Sequence, residues 1–237
     1  MRISTQTLFD SGAAQMGDLQ SGLFKTQQQI ATGRRILSPS DDPVAAARAL
    51  EVGQTLALNT QHGINRQQAT GALSLVEGTL SSVTALLQEV KTTIIAAGNG
   101  VLSDSERGFQ ATELRGRFDE LLALANSRDA VGNYQFSGFQ TNTPAFVQSV
   151  TGATYQGDSG QRLIQVDTTR QMAVTNPGQA VFQGGGQDMF ATLTTLIERL
   201  ELPGTVGLDA ALATANADID LALDNVLTVR ASVGARL

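Results

Sequence analysis

Residues 32–47 read T-G-R-R-I-L-S-P-S-D-D-P-V-A-A-A, and they separate two segments with helical patterning. The middle of the stretch is built from turn formers, which are Ser38, Pro39, Ser40 and Asp41. Their side chains compete for backbone hydrogen bonds or fix φ. Asp42 followed by Pro43 predicts a helix start, because aspartate caps free N–H groups and proline is tolerated at the first helical position. The stretch therefore predicts a break, which we call the joint, and a new helix from Pro43.

Before the joint, large apolar residues recur about every seven positions in a polar background. This seam consists of Phe9, Met16, Leu19, Leu23 and Ile30. Such spacing is typical of a helix that pairs with another helix. Two interpretations follow: an ordinary packed first helix, or an assembly helix that is disordered until it meets its partner.

After the joint, the pattern predicts one helix from Pro43 to about Ala97. From Leu73 to Ile94 its apolar residues alternate strictly at intervals of three and four, whereas the stripe is weaker before Leu73. A helix of that length would extend about 80 Å, which favours a rod over a compact domain. The turn formers Gly98-Asn99-Gly100 predict its end.

Three further helices are predicted. Ser103 to Glu106 has capping-box spacing and opens a helix that folds back on the first as an antiparallel hairpin and ends near residues 128–132. Another helix begins near Gln187 and ends at Pro203-Gly204, and the last runs from Leu208 to the end of the chain. The predicted core positions of the first are Ala111, Leu114, Phe118, Leu121 and Ala125; those of the last are Leu208, Leu212, Ala215, Ile219, Ala222, Val226, Val229 and Val233.

Between these helices the pattern changes to short β-type runs separated by Gly, Asn, Asp and Pro. The predicted strands are 134–136, 146–150, 153–156, 163–166 and 172–175. The fold class is therefore mainly α with an inserted β domain. We expect an N-terminal assembly segment and joint (residues 1–42), an elongated antiparallel helical rod (43–132 plus 187–237) and a small antiparallel β domain (133–186).

Composition excludes several classes of function. The net charge is −6 with no basic stripe, which argues against nucleic acid as a partner. The sequence has no Cys, and no window of 18 apolar residues predicts insertion into a membrane. Residues 1–30 lack the apolar core of a cleavable signal peptide, so an exported chain would leave by a route that does not read one.

No set of residues predicts catalysis, a cofactor site or a metal site. Gly157-Asp158-Ser159-Gly160 resembles the surroundings of a serine nucleophile, but the only histidine is His62, in a different part of the chain. A turn joining strands 153–156 and 163–166 explains the motif more simply. Asp218, Asp220 and Asp224 interleave with the last apolar seam and predict a solvated face rather than a calcium site. We therefore expect no enzyme.

The joint closely resembles the signature of the hook-associated junction proteins of the bacterial flagellum, a branch of the flagellin family. Three other passages are similar to that family: residues 1–5, the G-x-Y-x-F-S-G and P-x-F passages within 132–146, and Y-x-G-D at 155–158. Flagellin itself typically has Asn-Ser-Ala before its two aspartates and Ala-Ala-Gly after them. This chain has Ser-Pro-Ser and Pro-Val-Ala, which favours the junction proteins.

The resemblance implies a structural component of the extracellular flagellum that links hook and filament. Its partners would be the first hook-associated protein, flagellin, further copies of itself in a ring, and an export chaperone. Subunits of this family leave through the flagellar type III export channel and assemble through coiled-coil terminal segments. The seam would then be the assembly surface, and the joint would be the helix cap that separates this assembly helix from the rod.

The resemblance also predicts that the family's terminal helix continues past Leu237. We therefore expect a truncated chain that lacks the partner of the seam and does not assemble, with residues 1–38 mobile or in non-native contacts. Two alternatives stay open: a filament flagellin-type subunit, and a β domain that binds a surface while carried on a helical stalk. The second alternative predicts clustered exposed aromatic side chains, yet these mostly occupy alternating positions suited to a core: Tyr134, Phe136, Phe139, Phe146 and Tyr155.

Overall fold

A computed structural model describes residues 5–237, so the first four residues of the motif at residues 1–5 lie outside the described part. The helices are α1 (Thr5–Thr32), α2 (Pro43–Ala97), α3 (Asp104–Ala125), α4 (Gly178–Phe182), α5 (Met189–Glu201) and α6 (Leu208–Gly234). The strands are β1 (Phe146–Ser149), β2 (Gly152–Tyr155), β3 (Leu163–Gln165) and β4 (Gln171–Ala173). The prediction of a mainly helical chain with small antiparallel strands is confirmed.

The chain divides into two compact units, one up to Gln61 and one from His62 to Leu237. The first unit contains α1, the joint and the beginning of α2. The second contains the remaining turns of α2 and all later elements. The predicted division into residues 1–42, a discontinuous helical part and residues 133–186 stays a prediction.

The core of the second unit is formed by the apolar seams of α2, α3, α5 and α6. All the predicted seam positions of α3 are buried, and so are those of α6 except Val229, which is partly buried. The strict seam of α2 is likewise buried: Leu73, Val76, Leu80, Val83, Leu87, Val90 and Ile94. Because helical periodicity places these residues on one face, each helix contributes one apolar stripe to a shared interior. The buried positions therefore agree with those that the apolar spacing predicts.

Ion pairs and hydrogen bonds show that α2 is antiparallel to both α3 and α6. Arg117 of α3 pairs with Glu89 at 2.8 Å, while Glu113, one turn earlier in α3, faces Thr93, one turn later in α2. The same reversal relates α2 to α6, because Glu77 pairs with Arg230 and Lys91 pairs with Asp220. With α5 packed between α3 and α6, these helices form an up-and-down bundle.

Several predicted boundaries were wrong. Helix α3 ends at Ala125 rather than near residues 128–132, because the side chain of Asn126 bonds both backbone groups of Phe146. Residues 134–136 form no strand; Tyr134 makes only an isolated bridge with Arg128. The sequence pattern also missed the short helix α4.

The pairing of the strands also differs from the prediction. β1 pairs with β2, and β3 pairs with β4, each as a separate antiparallel hairpin. Gly157–Gly160 therefore connects two hairpins and is not the turn of one. Three-residue and four-residue strands carry too little periodicity to reveal their partners, so tertiary contacts decide the pairing.

Side chains of α2 and of the residues that follow α6 hold the β3–β4 hairpin against the bundle. Asn65 Nδ2 donates to Gln165 O at 2.7 Å, and Arg66 donates to Val166 O at 2.9 Å. On the other strand, Arg236 donates to Ala173 O at 2.9 Å. Burial lowers the pKa of Arg236. The hairpin is thus tied to α2 and to the end of α6.

By length and composition, α2 has a window apolar enough to cross a membrane. In this chain, however, 39% of that window is buried inside the protein. The buried positions include the seam that packs into the bundle.

Candidate assembly surface and joint

The predicted seam of α1 faces solvent in the first unit. Its five side chains retain most of their accessible surface: Phe9 80%, Met16 68%, Leu19 74%, Leu23 59% and Ile30 77%. Large apolar side chains are rarely left exposed in such a continuous row, and exposed patches of this kind mark interaction surfaces. We call this row the α1 seam. Its role in assembly is still a prediction.

The first unit exposes more apolar side chains than the heptad pattern revealed. On α1, Leu8 and Phe24 are also exposed. In the first turns of α2, the exposed large apolar residues are Val44, Leu50, Val52, Leu56 and Leu58. The sequence contained a partial signal for these residues, since Val52 and Leu56 are spaced by four. The interspersed polar residues made that stripe weaker than the α1 seam.

The joint is organised by Asp41. Its carboxylate accepts hydrogen bonds from Lys25 Nζ at 2.7 Å and from the N–H groups of Leu37 and Ser38 at 3.1 Å each. The hydrogen bond from Lys25, followed by those from the two backbone groups, lowers the pKa of Asp41 from 3.8 to about 2. The N–H of Asp41 in turn donates to Ser38 O at 3.0 Å. A single carboxylate thus ties the turn to α1.

Asp42 caps the start of α2. Its Oδ1 accepts from Ala45 N–H at 3.0 Å, and Oδ2 accepts from Arg35 Nη2 at 3.1 Å. The backbone hydrogen bond from Ala45 is the main reason that the pKa of Asp42 is lowered. Pro43 occupies the first helical position, where no N–H is needed. The cap therefore has the local chemistry that the sequence predicts.

The other side of the joint ends α1. Gly33 adopts φ +67°, a left-handed conformation that terminates helices. Gln29 Nε2 then donates to Arg35 O at 2.6 Å, across the turn. The hydroxyl groups of Ser38 and Ser40 lie 2.6 Å apart. The joint is therefore an ordered turn, with hydrogen bonds from both flanking helices.

The two other matching passages contact each other in the second unit. The Asp158 carboxylate accepts from Phe139 N–H at 3.0 Å, and Asp158 N–H donates to Ser137 O at 3.2 Å. The hydroxyl oxygen of Tyr155 lies 2.9 Å from Phe136 O. Burial raises the pKa of Tyr155. Hydrogen bonds therefore join the loops that carry the G-x-Y-x-F-S-G and Y-x-G-D passages, and their role here is structural.

The arrangement does not support nucleophilic catalysis at Ser159. The carboxylate of Asp158 is occupied by the N–H groups of Phe139 and Gly160. His62 is a buried residue of α2, and its Nδ1 has no hydrogen-bond partner among the described residues. Across residues 5–237, no group of three or more His, Cys, Asp or Glu side chains could hold a metal ion. Asp220 instead pairs with Lys91, and Asp218 accepts from Thr192.

The fold and the order of its elements correspond to a known class of flagellar subunit. Residues 3–141 match the family described as the bacterial flagellin N-terminal helical region, which spans more than half of the chain. This match includes α1, the joint, α2, α3 and the G-x-Y-x-F-S-G passage. The class is that of flagellin-like helical subunits.

Relatives that match the whole chain identify a narrower family within this class. The chain is 37% identical to flagellar hook-associated protein 3 of Salmonella typhimurium and 35% identical to that of Escherichia coli. Each comparison covers 100% of this chain and 80% of the relative. Flagellin of Bacillus subtilis is 26% identical, over 89% of this chain and 70% of that one. The chain therefore belongs to the flagellin family and, within it, to the flagellar hook-associated protein 3 family.

Solved structures agree with this family. A flagellar hook-associated protein from Vibrio parahaemolyticus superimposes with a TM-score of 0.78, covering 84% of this chain and 89% of that one at 28% identity. Hook-associated protein 3 from Legionella pneumophila gives a TM-score of 0.73 at 23% identity, covering 79% and 91%. At 23% identity, the comparison with the Legionella pneumophila protein shows a similar fold alone.

Proposed function

We propose that this chain is a structural subunit at the junction between the hook and the filament of the bacterial flagellum. The observation that carries this proposal is the match to hook-associated protein 3 over the full chain, at 37% and 35% identity. The exposed α1 seam supplies a physical means of joining neighbouring subunits. The function is mechanical: the subunit connects two helical assemblies and performs no chemistry.

The α1 seam is the proposed assembly surface. Its side chains are apolar, exposed and carried on one helix, which is the form of surface that pairs in a coiled coil. Burying about ten large apolar side chains of the first unit would remove area on the order of a standard protein–protein interface. The joint holds the turn after this helix through Asp41 and Asp42. The joint would thereby fix the path of the backbone at the end of the assembly helix.

The proposed partners are the first hook-associated protein, flagellin and other copies of this chain in a ring. We further propose export through the flagellar type III channel, with an export chaperone that covers the apolar surface before assembly. The polar residues that interrupt every apolar run in residues 1–30 support a route that does not read a cleavable signal. Export would place the subunit in the extracellular appendage.

Two alternatives receive less support. A filament subunit would be expected to match flagellins better than hook-associated proteins, yet the flagellin of Bacillus subtilis reaches only 26% identity. A surface-binding β domain would expose clustered aromatic rings. Phe136 and Phe146 are instead buried, and Phe139 is the exposed aromatic side chain of that group.

The assembly role can be tested in the chromosomal gene of the source bacterium. Replacing Met16, Leu19 and Leu23 by aspartate places charges at three exposed positions of the α1 seam. Electron microscopy would count filaments attached to hooks, and immunoblots would measure the subunit in the culture medium. We expect the variant to be exported but not retained, with few attached filaments.

A matched control places the same kind of charge on the opposite face of α1, at Ser21 and Gln28. Both are exposed polar positions of the same helix. This control should keep wild-type filament attachment. Wild-type attachment in the seam variant would contradict the assembly role of the α1 seam, and normal filaments in a gene deletion would contradict the junction function itself.

A further inference from the structure

We propose that Asn99 is a site of spontaneous chemical modification, at which the side-chain amide is converted to aspartate and isoaspartate. Asn99 is the one asparagine of the sequence that precedes a glycine; the other eight precede larger residues or proline. It lies in the turn between α2 and α3, and Gly98, Asn99 and Gly100 are all exposed. This site is independent of the proposed assembly function.

The reaction needs the backbone nitrogen of Gly100 to reach the side-chain carbonyl carbon of Asn99. A Cβ added at Gly100 would have no heavy atom within 4 Å, apart from those of Gly100 itself and its two neighbours in the chain. Glycine also leaves the nitrogen sterically accessible and the turn free to adjust. Among the described residues, the N–H of Gly100 has no hydrogen-bond acceptor that would hold it away. The nucleophile is therefore unhindered.

The local turn also orients the electrophile. Asn99 Oδ1 accepts from Val101 N–H at 3.4 Å, and Asn99 O accepts from Leu102 N–H at 3.1 Å. The first contact closes a turn in which the side chain of Asn99 mimics a backbone carbonyl. The hydrogen bond to Oδ1 also draws electron density from the side-chain carbonyl carbon, which is the atom that is attacked.

The steps balance without an oxidant or reductant. Solvent base removes the proton of Gly100 N, whose electron pair forms a bond to Cγ of Asn99. The bond from Cγ to Nδ2 breaks, and the nitrogen leaves as ammonia after taking a proton from water. Water then opens the resulting five-membered succinimide at either carbonyl, which yields aspartate or isoaspartate. The net change is one amide hydrolysed to one carboxylate.

The product alters the end of α2. A carboxylate at position 99 lies just after the last helical residue, Ala97, where the negative end of the helix dipole disfavours negative charge. It also precedes an acidic first turn in α3, which contains Asp104 and Glu106. Isoaspartate adds one atom to the backbone within a turn whose hydrogen bonds depend on its length. The modification therefore loosens this end of the bundle.

The test is incubation of the folded full chain at neutral and mildly alkaline pH, followed by peptide mapping with mass spectrometry. We expect the peptide containing Asn99 to gain the mass difference between an amide and an acid, in two chromatographic forms, with a rate that increases with pH. Gly100→Ala should slow the reaction about tenfold or more, because the added methyl group hinders the nitrogen. Asn142, which is exposed and precedes Thr143, is the internal control and should stay unmodified on the same timescale.

A second measurement separates folding from reactivity. The same reaction is followed in the urea-unfolded chain, and the folded and unfolded rates at Asn99 are compared. Rates within about tenfold of each other would support an open turn that does not protect the site. The proposal is overturned if Asn99 in the folded chain is more than about tenfold slower than in the unfolded chain. Equal reaction at Asn142, or no effect of Gly100→Ala, would overturn it as well.

Discussion

Gly138 and Asp158 are packed so closely that no side chain fits between them. A Cβ at Gly138 would lie 2.2 Å from Asp158 Oδ1 and 2.4 Å from Asp158 O. The same carboxylate accepts a hydrogen bond from the next residue, Phe139, at 3.0 Å. Gly138 also adopts φ +72°, which a residue with a Cβ disfavours. This contact joins the two passages that resemble the family's own motifs.

Gly138→Ala should lower the free energy of unfolding by about 2 to 4 kcal/mol, because left-handed strain adds to a steric clash. Urea denaturation followed by circular dichroism measures the change. Gly132→Ala is the matched control, since Gly132 has φ +92° but no atom within 4 Å of the position that its Cβ would occupy. It should cost only about 1 to 2 kcal/mol. Equal losses for the two variants would show that the packing against Asp158 contributes nothing.

A pair of leucine truncations distinguishes the buried seam from the α1 seam. Leu80 is fully buried in the bundle, whereas Leu19 is 74% exposed on α1. Leu80→Ala should destabilise the second unit by about 2 to 5 kcal/mol, because it removes core contacts and leaves a cavity. Leu19→Ala should change its stability by less than about 0.5 kcal/mol. Thermal and urea unfolding of the isolated chain measure both; a large loss from Leu19→Ala would mean that α1 is packed in the free subunit.

The joint should weaken in acid. The folded pKa of Asp41 is depressed from 3.8 to about 2, and that of Asp42 is also lowered. A depressed carboxyl pKa contributes stability that is fully present above the ordinary value and is lost as the pH falls towards the folded value. We therefore expect the joint to be intact above about pH 5 and to open progressively between about pH 4 and 2. Hydrogen exchange of the Leu37 and Ser38 N–H groups measures this opening.

Lys25→Met provides the control for the acid response. It removes the hydrogen bond that contributes most to the lowered pKa of Asp41. The Asp41 carboxyl should then titrate nearer its ordinary range, as followed by nuclear magnetic resonance of the side chain. Asp42 should keep its lowered pKa, because its main partner is the N–H of Ala45. An unchanged titration of Asp41 would show that Lys25 does not form the bond in solution.

The side chain of Asn126 bonds to the backbone of Phe146 as a neighbouring strand would. Its Nδ2 donates to Phe146 O at 2.8 Å, and its Oδ1 accepts from Phe146 N–H at 2.9 Å. Asn126→Ala should cost about 2 to 4 kcal/mol, because both backbone groups of a buried residue lose their partners. Asn142→Ala, at an exposed position, should be nearly neutral. Differential scanning calorimetry of the two variants measures the difference, and similar melting temperatures would contradict the role of Asn126.

The helices were predictable because their signals are local and repeated. The strict spacing from Leu73 to Ile94 and from Leu208 to Val233 specifies a buried face over several turns. The capping box at Ser103 is formed, with Glu106 Oε2 accepting from Ser103 N–H at 2.7 Å. The hydrogen bond from the Ser103 side chain is also the main reason that the pKa of Glu106 is lowered. Local chemistry of this kind needs no information from distant parts of the chain.

The hairpin region was predicted less well, because its strands have only three or four residues. A single change of register reverses the faces of such a strand, so its own pattern carries little information about its partner. Long-range bonds supply that information, such as those from Arg66 to Val166 and from Asn126 to Phe146. The aromatic cluster of Phe136, Phe146, Phe182 and Phe190 forms between segments distant in sequence.

By itself, the sequence determined the long helices, their apolar faces, the joint and the family, because each depends on residue types at short, regular spacings. Only the tertiary structure decided the pairing of the hairpins, the end of α3 and the contact between Gly138 and Asp158. These depend on which distant backbone groups and side chains meet, and a buried polar group takes whichever partner the packed bundle places within reach.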